Sequence, residues 1–153
     1  MSIESWKQEF YPIHADQTPI EQAITHSLQK WIGLRAENLA RHNCRVAEHG
    51  AGIPYIEEMN DEPFQAKEAV CIMSDTCALC HHYLLEIGEY ENYCCEKCPL
   101  AKHLGYSCDG GSKFKGQSRP YATWYDTGNP EIMISALQAT LESHNAATQQ
   151  QST

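Results

Sequence analysis

The alternation of apolar and polar positions predicts a mainly helical chain. Trp6 and Phe10 are four residues apart, which is the spacing of one helical face, and Pro12 ends that short first helix. Further along, apolar and small residues recur three and four positions apart until Gly33, which indicates an amphipathic helix with one buried stripe. The stripe consists of Ile20, Ala23, Ile24, Ser27, Leu28 and Trp31.

Two further signals mark where helices begin. Thr18-Pro19-Ile20-Glu21 has the pattern of a capping box with proline at the first helical position, and Asn129-Pro130 repeats the cap-plus-proline start. The second start precedes another stripe, and we expect the two stripes to pack against each other because a domain must cover both. This stripe consists of Met133, Ala136, Leu137, Thr140, Leu141 and His144. Shorter helices are predicted at residues 35–42, 78–87 and 99–104.

The remaining segments are polar. Residues 46–69 are expected to form a solvated loop, because acidic residues dominate them and glycines and prolines interrupt them. The composition of residues 145–153 predicts a disordered tail. The expected fold is therefore mainly α: one small helical domain over residues 1–153 with a central zinc-knuckle insert and few or no short strands.

Cysteine is the residue type that points to chemistry. The chain has eight cysteines; seven lie between Cys71 and Cys108, and only Cys44 stands apart. The first residues show no secretory signal pattern, and the cytosol keeps thiols reduced, so clustered cysteines favour metal binding over disulfides. We therefore expect a cytoplasmic protein with a metal-binding core segment over residues 71–108.

The cysteine spacing indicates zinc. Two C-x2-C pairs are separated by fourteen residues, and each tight pair can aim two sulfurs at one ion. The predicted ligands are Cys77, Cys80, Cys95 and Cys98, with Cys94 and Cys108 as alternates. An iron–sulfur cluster stays an open alternative because Pro99 follows Cys98, as a proline does at such clusters. The close cysteine run of ferredoxins is absent, which favours Zn²⁺. The plainer alternative is a set of buried free thiols.

Charge and motif patterns limit the function classes. Eleven Lys and Arg stand against twenty Asp and Glu, a net charge of −9, which argues against a protein that coats nucleic acid over its whole surface. No apolar run approaches the roughly 18 residues of a membrane span.

No histidine is followed two positions later by glutamate, as nucleobase deaminases require. His81 and His82 lie between the knuckles, as in HNH nucleases, but His81 directly follows Cys80 and leaves no room for the hairpin. No catalytic residue is predicted.

A second candidate surface lies in residues 97–125. Five basic residues oppose Asp109 there, and aromatic residues are interleaved with them, as in surfaces that bind phosphates and stack on bases. The candidate nucleic-acid contacts are Lys113, Lys115 and Arg119. In the alternative interpretation, Tyr121, Trp124 and Tyr125 pack beneath the terminal helix and the basic residues only solvate a loop.

Several of these motifs are familiar together. The chain resembles a group of short cysteine-rich proteins of phages and bacteria in several motifs. These motifs are the segment from Ser27 to Leu39, Cys77-Ala78-Leu79-Cys80, Cys95-Glu96-Lys97-Cys98-Pro99-Leu100, Cys108, Tyr121, Trp124 and Gly128-Asn129-Pro130. The resemblance implies a bacterial or infected-cell cytoplasm. It implies no particular activity.

The sequence thus leaves two classes of function. The first is a zinc-stabilised, non-enzymatic interaction protein, phage-encoded on the resemblance and acting on a host protein. The second is a zinc-containing protein that binds nucleic acid, or processes it as a degenerate HNH-like enzyme, through residues 97–125. We expect a protein partner in the first case, no membrane in either, and a homo-oligomer if apolar helix faces remain uncovered.

Overall fold

The computed structural model describes residues 1–60, 63–84, 95, 97–105, 107–108 and 119–151 of the chain. Within these ranges the fold is mainly α, as the sequence predicts, with a three-stranded antiparallel sheet of order β1-β2-β3. The helices are α1 Ile3–Phe10, α2 Ala23–Gly33, α3 Ala36–Arg41, α4 Ala78–Leu84, α5 Pro99–Leu104, α6 Pro120–Thr127 and α7 Glu131–Gln151. The strands are β1 Cys44–His49, β2 Ile53–Glu58 and β3 Val70–Cys71.

Helix α2 is the central element, and it packs against α1, α4 and α7. Ile24 and Trp31 of α2 and Leu137 of α7 are buried, so the two predicted stripes do face each other. The match is incomplete at the start of the first stripe, because Ile20 is 44% exposed. Leu28 is only half-buried at the edge of the core.

The capping box predicted at Thr18 does not form. The Thr18 hydroxyl donates a hydrogen bond to the carbonyl of His14 at 3.1 Å, and no side chain caps the turn that follows. This turn is a short 3₁₀ turn, Ile20–Gln22, and α2 begins only at Ala23. The Thr18 hydroxyl therefore bonds back to the preceding segment and not forward to the next helix. At Asn129 the prediction is confirmed, since its Oδ1 accepts from the N–H of Glu131 at 3.0 Å.

Gly33 is the last residue of α2, and a steric constraint requires glycine there. The indole Nε1 of Trp6 donates to the carbonyl of Gly33 at 2.9 Å, which brings α1 directly against the end of α2. A Cβ at residue 33 would lie 2.6 Å from Cγ of Phe10 and 2.8 Å from Cζ2 of Trp6. Glycine is therefore required by the approach of two helices.

Residues 46–69 are not one solvated loop, which corrects the sequence-based prediction. Strands β1 and β2 form a hairpin from Cys44 to Glu58, joined through Gly50, Ala51 and Gly52, which all have positive φ. Pro54 and Ile56 of β2 are buried, while residues 63–68 are exposed as expected. The sequence-based prediction missed strand β2 because its acidic residues suggest exposure to solvent. In the structure Glu57 is buried, and its charge is paired with that of Arg45 on the neighbouring strand.

Helix α6 is a second element absent from the prediction. It lies in the C-terminal part of the candidate surface at residues 97–125, and Gly128 ends it in the left-handed conformation. Helices α3 and α5 lie within the predicted ranges, and α4 agrees up to Leu84, since residues 85–87 lie outside the described residues. Helix α7 continues to Gln151, so residues 145–151, for which the composition predicts a disordered tail, are helical and exposed.

Across the described part of the chain, no helix combines the length and the apolar character that crossing a bilayer demands.

Candidate metal centre

The first C-x2-C pair lies at the junction between a tight turn and α4. A 3₁₀ turn, Ser74–Thr76, precedes it, and the N–H of Cys77 donates to the carbonyl of Ser74 at 3.1 Å. Helix α4 begins immediately afterwards, and the N–H of His81 donates to the carbonyl of Cys77 at 2.9 Å. The turn and the first helical turn therefore fix the positions of both cysteines.

The second pair has a similar arrangement at the start of α5. The N–H of Cys98 donates to the carbonyl of Cys95 at 3.0 Å, and Pro99 is the first residue of the helix. The proline suits this position because it needs no helical hydrogen bond there. In each pair, one cysteine sulfur accepts hydrogen bonds from the backbone. The sulfur of Cys77 accepts from the N–H of Cys80, and the sulfur of Cys98 accepts from the N–H groups of Leu100 and Ala101.

Five cysteines line one small cavity of about 30 Å³ between these two knuckles. Its volume suits a single ion. The cavity-lining cysteines are Cys77, Cys80, Cys95, Cys98 and Cys108. The structure thus brings together all four predicted ligands and one alternate, whereas the other alternate, Cys94, lies outside the described residues. Helix α6 helps to place Cys108, whose carbonyl accepts from the N–H of Tyr121 at 3.0 Å.

No disulfide links any two of the described cysteines, and no three His, Cys, Asp or Glu side chains in the described ranges form a ready-made metal-binding group. The donor set still fits zinc, because five soft sulfur donors surround a space for one ion and zinc takes four of them. The side chains would have to close around the ion on binding.

Hydrogen bonding within the first pair makes its two sulfurs unequal. The hydrogen bond from the Cys80 thiol holds the pKa of Cys77 well below its usual range, and the same contact raises the pKa of Cys80. The positive charge of Lys30 also lowers the pKa of Cys77. Within this pair, Cys77 is therefore the sulfur better prepared to bind as a thiolate.

Helix α2 contributes two polar side chains next to Cys77, and the sequence analysis did not identify either as part of the site. The Ser27 hydroxyl lies 3.7 Å from the Cys77 sulfur. One helical turn later, the Lys30 ammonium donates to the carbonyl of Thr76 at 3.0 Å and is 1% exposed. The available signal was a lysine three residues after a serine of the apolar stripe, on the face that the periodicity places inside.

The two cysteines outside the knuckles have different surroundings. Cys44 is buried in β1, its thiol donates to the carbonyl of His42 at 3.4 Å, and burial raises its pKa to about 11. Burial likewise raises the pKa of Cys71 to about 11. High thiol pKa values disfavour the thiolate form, so both positions suit a structural role.

His81 and His82 do not line the cysteine cavity. The Nε2 of His82 is 2.6 Å from the carbonyl of Thr18, which ties α4 to the segment before α2. The two rings contact each other edge to face at 5.2 Å. This arrangement gives the histidine pair a packing role.

Of the three aromatic residues of the candidate nucleic-acid surface that the structure describes, Trp124 belongs to the core, Tyr121 packs against it and Tyr125 is exposed. Trp124 is 3% exposed and its ring meets that of Trp31 at 5.0 Å. The Tyr121 hydroxyl donates to the carbonyl of Ile72 at 2.7 Å, and that of Tyr125, which is 43% exposed, donates to the carbonyl of Gly52 at 3.0 Å.

The basic residues of that surface are only partly described. Arg119 is the N-cap residue of α6. Lys113 and Lys115 lie outside the described residues, so their proposed phosphate contacts stay a prediction.

Comparisons with protein-family models, with curated proteins and with solved structures find no match to this chain. The functional argument therefore depends on the geometry of its own residues.

Proposed function

We propose that this chain is a non-enzymatic interaction protein whose fold is stabilised by one zinc ion. The observation that carries the proposal is the cavity lined by five cysteines from three segments of the chain. Cys77, Cys80 and Cys98 are three of the ligands, and Cys95 or Cys108 is the fourth. Four thiolates leave no coordination position for water, so the ion has a structural role.

The zinc ion would tie together separate segments of the chain. The ligands come from the start of α4 and the start of α5, and also from the segment before α6 if Cys108 is the fourth ligand. Binding free energy at such a site is also folding free energy, because the ligand set does not exist in the unfolded chain.

Metal analysis of the purified full-length protein tests the ion. We expect one zinc per chain by elemental analysis. Stoichiometric iron together with acid-labile sulfide would show that the site holds an iron–sulfur cluster instead of zinc. Absence of any metal would overturn the proposal.

Serine variants of Cys95 and Cys108 test the ligand set. We expect one of the two single variants to lose zinc, while Cys44→Ser keeps it. If each thiol can replace the other, only the double variant loses zinc. Stoichiometric zinc in the double variant would contradict the proposed ligands.

The function of such a protein resides in the surface that the zinc site holds in place. The net charge of −9 favours a basic partner surface through electrostatic complementarity. On the resemblance to phage and bacterial proteins, that partner is a host protein. Affinity capture from bacterial lysate with the zinc-loaded chain tests this, with Cys77→Ser as the control. A partner captured equally by both would place recognition outside the zinc-stabilised region.

Nucleic-acid binding is the competing outcome, and a salt titration separates it. If Lys113, Lys115 and Arg119 each contact a phosphate, log affinity falls with log salt at a slope of about −2 to −3. We expect no such binding, because two aromatics that would stack on bases are packed in the core and the overall charge repels a polyanion. A salt-sensitive complex lost on charge reversal of the three residues would favour the alternative.

A further inference from the structure

Lys30 is a basic side chain in the interior of the protein. It is 1% exposed, and its ammonium donates to the carbonyl and the hydroxyl of Thr76 at 3.0 and 3.4 Å. Among the residues that the structure describes, no carboxylate forms an ion pair with it. A buried ammonium with only neutral partners is unfavourable, because it has lost its hydration without gaining an opposite charge.

The cysteines that share a cavity with Lys30 are candidates for that opposite charge. Lys30 lines a mostly apolar cavity of about 300 Å³ together with Cys77, Cys80, Cys95 and Cys108. Its hydrogen-bond partner Thr76 directly precedes Cys77. Ser27 lies one turn earlier on the same face of α2 and approaches the Cys77 sulfur at 3.7 Å. Helix α2 therefore directs a cation and a hydroxyl at the same knuckle.

A zinc ion with four thiolates needs such neighbours. The four sulfurs together carry two more negative charges than one Zn²⁺ can neutralise. In an apolar interior this excess is poorly solvated, and nearby cations and hydrogen-bond donors offset it. The described structure offers the buried ammonium of Lys30 and the buried hydroxyl of Ser27 at this position.

We propose that Lys30 and Ser27 form the outer shell of the zinc site, in which Lys30 balances the charge of the metal–thiolate centre and Ser27 donates a hydrogen bond to the sulfur of Cys77. This inference rests on the proposed zinc site and assigns α2 a function in metal affinity beyond packing. Lys30 acts through the sulfurs and does not itself bind the ion.

The proposal makes opposite predictions for the two states of the protein. With zinc bound, Lys30→Met removes the compensating charge and weakens the metal site. Without zinc, the same change replaces a buried ammonium by an apolar side chain of similar length, which leaves the metal-free protein equally or more stable. A lysine with a purely structural role would instead lower the stability of both states.

Zinc affinity is measured on the full chain by competition with a chromophoric chelator, together with the rate of zinc transfer to that chelator. We expect Lys30→Met to weaken zinc binding about 10–100-fold, which is the usual effect of losing an outer-shell partner. Ser27→Ala should have a smaller effect in the same direction. Lys67→Met, at an exposed position, is the matched control and should bind zinc like the wild type.

Lys30→Arg provides the conservative rescue, because the adjacent cavity has room for a larger cation. It should regain most of the affinity lost in Lys30→Met. Circular dichroism of the zinc-loaded variants verifies that each is folded, and urea unfolding after zinc removal measures the metal-free state.

The outcomes separate the two proposals. Zinc in the wild type with equal affinity in Lys30→Met overturns the role of Lys30 and leaves the zinc site standing. If Lys30→Met and Lys30→Arg both bind zinc equally weakly, the role of Lys30 is also overturned, because Lys30→Arg retains the positive charge. A wild-type protein without metal overturns the zinc site, and this inference falls with it.

Discussion

At the scale of single residues, the structure contains side chains whose role depends on a neighbour distant in sequence. Glu9 at the end of α1 accepts two hydrogen bonds of 2.7 Å from the guanidinium of Arg41, and the ring of His42 lies 2.7 Å from the same carboxylate. The bond from Arg41 is the main cause that holds the pKa of Glu9 at about 2. This cluster, in which Glu9 and Arg41 are exposed and His42 is buried, connects α1 to α3.

The Glu9 cluster predicts a specific acid sensitivity. The pKa of Glu9 is about 2 in the folded protein against an ordinary value of 4.5, so its contribution is complete above pH 4.5 and is lost as the pH falls towards 2. The stability difference between the wild type and Glu9→Gln should therefore shrink across that window. Because the pair is exposed to solvent, the difference should stay at or below about 1 kcal/mol.

Urea unfolding at several pH values measures this difference. Glu142→Gln, at an exposed position of α7, serves as the control and should differ little from the wild type at any pH. A Glu9→Gln difference that is constant from neutral pH down to pH 2 would contradict the assigned ion pair.

Gly33 gives a second prediction at this scale. An alanine there would force its Cβ against Phe10 and Trp6 at 2.6 and 2.8 Å, and overpacking of this kind costs about 1–3 kcal/mol. The clash should outweigh the gain of up to about 1 kcal/mol in helix propensity. Urea denaturation of Gly33→Ala measures the balance, and a variant as stable as the wild type would show that α1 can move aside.

At the scale of elements, the fold is organised by the contact between α2 and α7. Trp31 of α2 meets Trp124 of α6 nearly perpendicular, so α6 closes the same core from a third side. The hairpin packs next to α1 and α3, away from the cysteine cavity. Helix α2 is thus the element through which the helical core and the knuckles are coupled.

Truncations on the two helices should differ according to burial. Leu137 is fully buried, and Leu137→Ala should cost about 2–5 kcal/mol, as core truncations do. Leu28 is only partly buried, so Leu28→Ala should cost less than about 2 kcal/mol. Gln138→Ala, one position after Leu137 and exposed, should stay within about 0.5 kcal/mol of the wild type. An equal or larger loss at Leu28 than at Leu137, by urea unfolding, would contradict the core described here.

At the scale of the whole molecule, the proposed zinc ion joins at one centre the separate segments that carry its cysteine ligands. Zinc at about 100 times its Kd adds about 2.7 kcal/mol to the free energy of unfolding. Chelation should therefore lower the Tm of the wild type. Cys77→Ser should start from a lower Tm and respond little to the chelator.

Cys44→Ser is the matched control for this experiment. Residue 44 is buried in β1, and a serine there keeps a donor for the carbonyl of His42. It should show the same shift on chelation as the wild type. Equal chelator responses in Cys77→Ser and the wild type, measured by differential scanning calorimetry, would contradict a role for Cys77 in metal binding.

The sequence determined those features that depend on local pattern. Helical periodicity identified the stripes of α2 and α7, and the C-x2-C pairs identified the residues of the cysteine cavity. The cap at Asn129 is equally local, because it acts within one helical turn. The identity of the metal and of the partner stays a prediction.

Only the tertiary structure decided the features that depend on distant partners. Glu57 is buried in a strand because Arg45 and His49 lie across the hairpin from it, whereas its sequence neighbours suggest a solvated loop. Trp124 is a core residue because its ring packs against that of Trp31 in α2. Lys30 joins the candidate site because α2 packs against the first knuckle, 47 positions later at Cys77. Burial and charge compensation are properties of the packed chain, and short-range spacing does not encode them.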